Sequence, residues 1–123
     1  MPVGQLFNNQ TTFSLFLGDA VTMNLSLIQD APNNGVPVDL TSCTEIGVFL
    51  PNADGTISEL TLSGGAVVVT SPAVLGQFKV SISTAVSLLL NEGVNQTFSV
   101  TFTIGANTFT IPYSQALSVY EVV

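Results

Sequence analysis

Apolar side chains recur at every second position along most of this chain, the spacing that places them on one face of a β-strand. Between Ala20 and Gln29, Val21, Met23, Leu25 and Leu27 share one parity, while Thr22, Asn24 and Ser26 take the other. Strict alternation returns between Asn95 and Ile104, where Phe98, Val100, Phe102 and Ile104 interleave with Thr97, Ser99, Thr101 and Thr103. Further strands are predicted over Gln10–Leu17, Cys43–Leu50, Thr56–Leu62, Ala66–Thr70, Phe78–Ile82, Thr108–Tyr113 and Ser114–Val122. Turn residues separate them: Gly18-Asp19, Asn34-Gly35, Pro51 to Gly55, Gly64-Gly65 and Gly105 to Asn107. Two departures from alternation are informative. The parity break between Ile57 and Leu60 predicts a β-bulge. Pro112, which removes a ladder hydrogen bond, predicts a sheet edge or another bulge.

The period changes only between Ser83 and Asn91. There Ser83 or Thr84 can cap a helix, Val86, Leu89 and Leu90 fall three or four apart, and Asn91-Glu92-Gly93 ends it. The fold class predicted is all-β: a single immunoglobulin-like antiparallel β-sandwich of about seven or eight strands, with one short helix near residues 84–91 plugging an end of the core. The domain division expected is a flexible N-terminal arm over residues 1–9 and a sandwich domain over residues 10–123, since no internal repeat or linker divides the chain. Within the arm, Leu6 and Phe7 are candidate docking residues.

Composition narrows the chemistry. The 123 residues carry eight acids, one Lys, no Arg and no His, for a formal charge of −7. Nucleic acid is a poor partner, because phosphate neutralisation needs several cations and only Lys79 is present. Mean hydropathy is +0.57, yet no apolar run approaches the roughly 20 residues of a membrane span, so membrane insertion is not expected. The first residues, Met-Pro-Val-Gly-Gln-Leu, lack a basic and then apolar leader pattern, and synthesis in a cytoplasm is expected.

Without His, neither Ser-His-Asp nor Cys-His catalysis can be assembled, nor can a His-ligated metal site. Lys79 and Ser81 share a strand face and read as solvated residues. Asp54-Gly55-Thr56 reads as a turn, not as a protease signature. Paired carboxylates leave a hydrolase conceivable, although few aromatic platforms accompany them. Asn52-Ala-Asp54-Gly55 begins like a calcium loop but lacks its closing Glu, and a site gathered from Asp19, Asp30 and Asp39 is the other calcium option. Cys43, the single cysteine, reads as a spectator thiol, and the acceptor patterns at Asn9, Asn24 and Asn95 as chance. The expectation is therefore no catalytic residue, no metal site, no cofactor and no small-molecule substrate. What remains is surface. Thr97, Ser99, Thr101 and Thr103 form an uncharged strand face lacking the Lys gatekeepers that keep sheets apart, and together with Leu6 and Phe7 they are the candidate interface residues.

Three stretches carry a resemblance: Phe13 to Leu27, the step Gly35-Val-Pro-Val-Asp-Leu-Thr41, and Glu45-Ile-Gly-Val-Phe-Leu-Pro-Asn-Ala-Asp-Gly55. The chain resembles small immunoglobulin-like structural proteins of tailed bacteriophages, and is similar to the N-terminal β-sandwich of baseplate upper proteins. In these a Gly-x-Pro-Val-Asp-Leu-Thr step joins the second and third strands, and Gly35, Pro37, Val38, Asp39, Leu40 and Thr41 match it. The resemblance implies a virion structural protein, with other virion proteins and copies of itself as partners, located in the virion. The family's helical or receptor-binding extension has no counterpart in these 123 residues, which leaves tail, baseplate, connector and capsid decoration open. The alternative from a different class is an adhesin- or lectin-like sandwich that binds a cell-surface glycan or protein through loops such as 30–37 and 52–55.

Overall fold

The computed structural model describes residues 6–7, 12–29 and 36–121. Among the described residues ten strands run in chain order: β1 (Leu6–Phe7), β2 (Phe13–Phe16), β3 (Val21–Ser26), β4 (Ile28–Gln29), β5 (Cys43–Pro51), β6 (Ile57–Thr61), β7 (Val67–Val69), β8 (Gln77–Ile82), β9 (Gly93–Ile104) and β10 (Asn107–Tyr120). A single α-helical turn, α1 (Thr84–Ser87), stands between β8 and β9, capped by the Ser83 hydroxyl accepting from Val86 N. Two described elements have no counterpart among the expected ones: the short strand β1, within the expected arm, and a 3-10 turn at Ala73–Leu75.

Two main sheets enclose the core. One has five strands in the order β2-β10-β9-β5-β6, the other three in the order β3-β8-β7, and β1 pairs with β4. Assigning β3, β5, β6, β7, β8, β9 and β10 to places B, C, C′, D, E, F and G reproduces the strand pairing of an immunoglobulin sandwich. The expected sandwich is therefore present, with one difference: β2 runs parallel to β10, Phe13 opposite Leu117 through Phe16 opposite Tyr120. Alternation within a strand records burial but not the direction of the neighbour, so this pairing could not be read from the pattern.

Burial follows the alternation. Met23, Leu25, Ile46, Val48, Leu50, Phe78, Val80, Ile82, Phe98, Val100 and Phe102 are all buried and point between the sheets. Phe98 stacks on Tyr113 with ring centroids 4.8 Å apart, and Phe13 meets Phe98 edge-on at 6.2 Å. Each such aromatic pair adds about 0.5–1.5 kcal/mol beyond the area it buries. Leu90, just past α1, is buried where the helix closes the core. The stretch Pro37 to Thr41 carries the chain from β4 to β5. Val38 and Leu40 are buried, Val38 N donates to Leu27 O, and Leu40 N donates to Ala73 O.

The two predicted segments Thr108–Tyr113 and Ser114–Val122 form one strand, β10, broken by a bulge after Tyr113. Gln115 takes φ 56° in that bulge. Pro112 lies in the part of β10 that, among the described residues, pairs with β9 alone, an edge position of the kind expected for it. The bulge expected between Ile57 and Leu60 does not exist. β6 pairs with β5 without interruption from Gly47–Thr61 to Pro51–Ile57. Parity breaks there because Ile57 points outward while Leu60 points inward. Among the described residues no helix is long and apolar enough to cross a membrane.

Candidate interaction surface

Alternation in β9 sets the outer face of the five-stranded sheet: with Phe98, Val100 and Phe102 inside, Thr97, Ser99, Thr101 and Thr103 must face out. Strand register adds their neighbours. Thr103 lies between Thr108 and Glu45, Thr101 between Thr110 and Gly47, and Ser99 between Pro112 and Phe49. Thr61 and Glu59 extend the rows at β6. Four of the six candidate interface residues thus form one continuous row. Leu6 and Phe7 lie elsewhere, paired with Gln29 and Ile28 of this same chain.

The face is mostly hydroxyl-bearing, and some hydroxyls are already engaged. Thr103 and Thr108 share a hydrogen bond of 3.0 Å across the strands. Thr97 Oγ1 accepts from Gln115 N at 3.4 Å, which fastens the β10 bulge to β9. An apolar depression of about 300 Å³ opens within this field, lined by Phe49, Pro51, Ile57, Thr97, Phe98 and Ser99. Ile57 is 56% exposed. The parity break at this residue was the sequence signal for the depression, and a bulge was the wrong explanation for it.

Charge is displaced to the margins. The Glu45 carboxylate turns toward the β6–β7 turn, where it accepts from Ser63 Oγ and Ser63 N, with Ile46 N as a further donor. The Ser63 bonds hold it below the usual carboxylate range. Glu59 stands on the edge strand β6, and the one Lys faces solvent from β8 on the opposite sheet.

Acids outside this face serve turns. Asp54 accepts from both Thr56 Oγ1 and Thr56 N, and Asp39 accepts from the same two groups of Thr41. These bonds lower both carboxyls and are the usual use of Asp in a turn. Asn52 donates to Thr56 Oγ1 and accepts from Ser58 Oγ, so the polar side chains of loop 52–55 are engaged by Thr56, just before β6, and Ser58 within it. Among the described residues no group of three or more His, Cys, Asp and Glu could hold a metal ion. Asp30 and most of loop 30–37 lie outside the described residues, as does the Asn9 acceptor pattern. Lys79 and Ser81 are both exposed on β8. Cys43 is half-buried, its thiol donating to Glu45 O at 3.2 Å, and burial pushes its pKa up, which disfavours the reactive thiolate.

Two buried polar groups escaped sequence reasoning. Ser87 is fully buried: its hydroxyl accepts from Gly18 N at 2.8 Å and donates to Phe16 O at 3.2 Å, joining α1 to the end of β2. Tyr113 is buried, its hydroxyl has no hydrogen-bond partner among the described residues, and burial raises its pKa strongly.

No family model matches the sequence, and no curated protein matches it. Among solved structures, the crystal structure of the RIG-5 IG1 homodimer is similar over 97% of this chain and 99% of that chain, at 10% identity and a TM-score of 0.48. The immunoglobulin-like assignment stands on the strand pairing itself.

Proposed function

We propose that this chain is a non-enzymatic structural subunit of a bacteriophage virion that assembles in several copies through the outer face of its five-stranded sheet. The observation that carries the reading is the apolar depression at Phe49, Pro51 and Ile57 beside a row of uncharged hydroxyls, with Glu59 next to it on β6 and Glu45 at the far end of the face. Such a distribution matches the cores of protein interfaces, which are depleted in charge and retain an apolar centre. A sheet face without Lys or Arg also lacks the charges that ordinarily keep sheets from packing on one another.

The placement in a virion rests on the resemblance carried by Pro37 to Thr41. The structure adds a physical reason for that pattern: Val38 and Leu40 bury on either side of Asp39, which clamps Thr41. Repetition of a modest contact over many copies supplies the stability that a single contact lacks. The loop 52–55, whose Asn52 and Asp54 side chains are engaged by Thr56 and Ser58, offers few free groups for reading a glycan. Mass spectrometry of purified particles from the source tests the reading: the chain is expected among the abundant virion proteins, and its absence from particles would overturn it.

A further inference from the structure

A second surface lies at the opposite edge of the same sheet. The parallel pairing of β2 with β10 sets Phe16 opposite Tyr120, and Leu17 N donates to Tyr120 O at 2.8 Å. The two rings lie 5.7 Å apart and are inclined by 46°, and Phe16 is 49% and Tyr120 40% exposed. They form one wall of a cleft of about 570 Å³ whose other lining residues include Glu92, Val94 and Glu121. Two carboxylates from the start of β9 and the end of β10 therefore border an exposed aromatic and aliphatic surface.

We propose that this cleft receives an Arg or Lys side chain, flanked by apolar residues, from a different protein. The rings present electron-rich faces, which attract a cation within about 6 Å of the centroid. The carboxylates supply the opposite charge, and Val94 supplies surface for an aliphatic stem. A metal ion fits poorly, because calcium needs six or more oxygens and most of the cleft wall is hydrocarbon. A second copy fits poorly as well. Its one basic side chain, Lys79, sits mid-strand between buried Phe78 and Val80, so it cannot carry apolar flanks into a concave site. This partner is distinct from the copies proposed to meet at Phe49, Pro51 and Ile57, and the site does not depend on that association.

The test is a nuclear magnetic resonance titration of the full chain with the capped peptide Leu-Arg-Leu, with Leu-citrulline-Leu as its uncharged counterpart. Saturable shifts are expected at the amides of Gly93, Val94 and Tyr120. Replacing both acids, Glu92→Gln with Glu121→Gln, is expected to weaken binding about 5- to 10-fold with the thermal midpoint unchanged, since both side chains are exposed. Equal response to the two peptides, no saturable shift, or shifts spread equally over Glu45 and Glu59 would each overturn the proposal. So would shifts that depend on protein concentration alone and vanish in Lys79→Gln, which would put a second copy in the cleft.

Discussion

The ring of Phe49 lies beside Gly47 on the outer sheet face, so that a Cβ at position 47 would stand 3.1 Å from Phe49 Cε1 and 3.1 Å from Thr101 Oγ1. A glycine inside a strand weakens it, and an aromatic neighbour that covers the gap restores part of the packing. Gly47→Ala forces the ring or Thr101 to shift, and is expected to cost about 1–3 kcal/mol in urea unfolding. It also reshapes the wall of the depression to which Phe49 contributes. A variant as stable as the wild type would show that the ring does not depend on this gap.

Ser87 joins two elements far apart in sequence. In Ser87→Ala the N–H of Gly18 loses its acceptor, and the unmet group is expected to lower stability by about 1–3 kcal/mol. Hydrogen exchange at Gly18 checks the cause, since this amide should lose protection more than amides in the middle of β9. Uniform loss across the chain would contradict the local account.

Gly76 takes φ 68°, and a Cβ there would lie 2.6 Å from Leu27 O and 2.8 Å from Val38 O. Both neighbours are backbone and cannot swing away. Gly76→Ala is expected to cost about 3 kcal/mol or more, combining a left-handed backbone with the clash. Gly55 has φ 88° but open space around it, so Gly55→Ala should cost only about 1 kcal/mol. Thermal melts of the two variants separate backbone conformation from crowding.

Tyr113 predicts a limit on the alkaline side. Its folded pKa is raised by burial, so the neutral phenol is favoured in the folded state. This contribution is fully present below the unfolded value of about 10 and is lost as pH rises above it. Tyr113→Phe removes the titration together with the buried hydroxyl, which has no partner among the described residues. It is expected to be neutral or stabilising by about 1 kcal/mol at pH 7, and its stability should fall less steeply above pH 10 than that of the wild type. Denaturant midpoints measured between pH 7 and 11 test both statements.

The strands and the inward residues were legible because burial on one face imposes a period of two, as Met23-Leu25-Leu27 and Phe98-Val100-Phe102 display. The capped turn at Ser83 was legible from its change of period and its hydroxyl. Other features depend on partners distant in sequence. The parallel neighbour of β10, the crossing of Leu27, Val38 and Gly76, and the bonds of Ser87 all join segments that no local pattern connects. The hydroxyl row of the candidate surface could be read from β9 alone. Its apolar centre could not, because Phe49, Pro51 and Ile57 come together only through the registers of β5 with β6 and β9. Ile57 gave a local signal, its broken parity, but a bulge and an outward-facing hydrophobe produce the same break.

Sedimentation velocity across a concentration series tests the central claim most directly, comparing the wild type with Ser99→Lys and Ile57→Lys. The outer-face account predicts that the wild type associates as concentration rises, while each Lys variant remains monomeric with an unchanged thermal midpoint. Association that is identical in all three proteins, or a wild type that stays monomeric throughout the series, would contradict it.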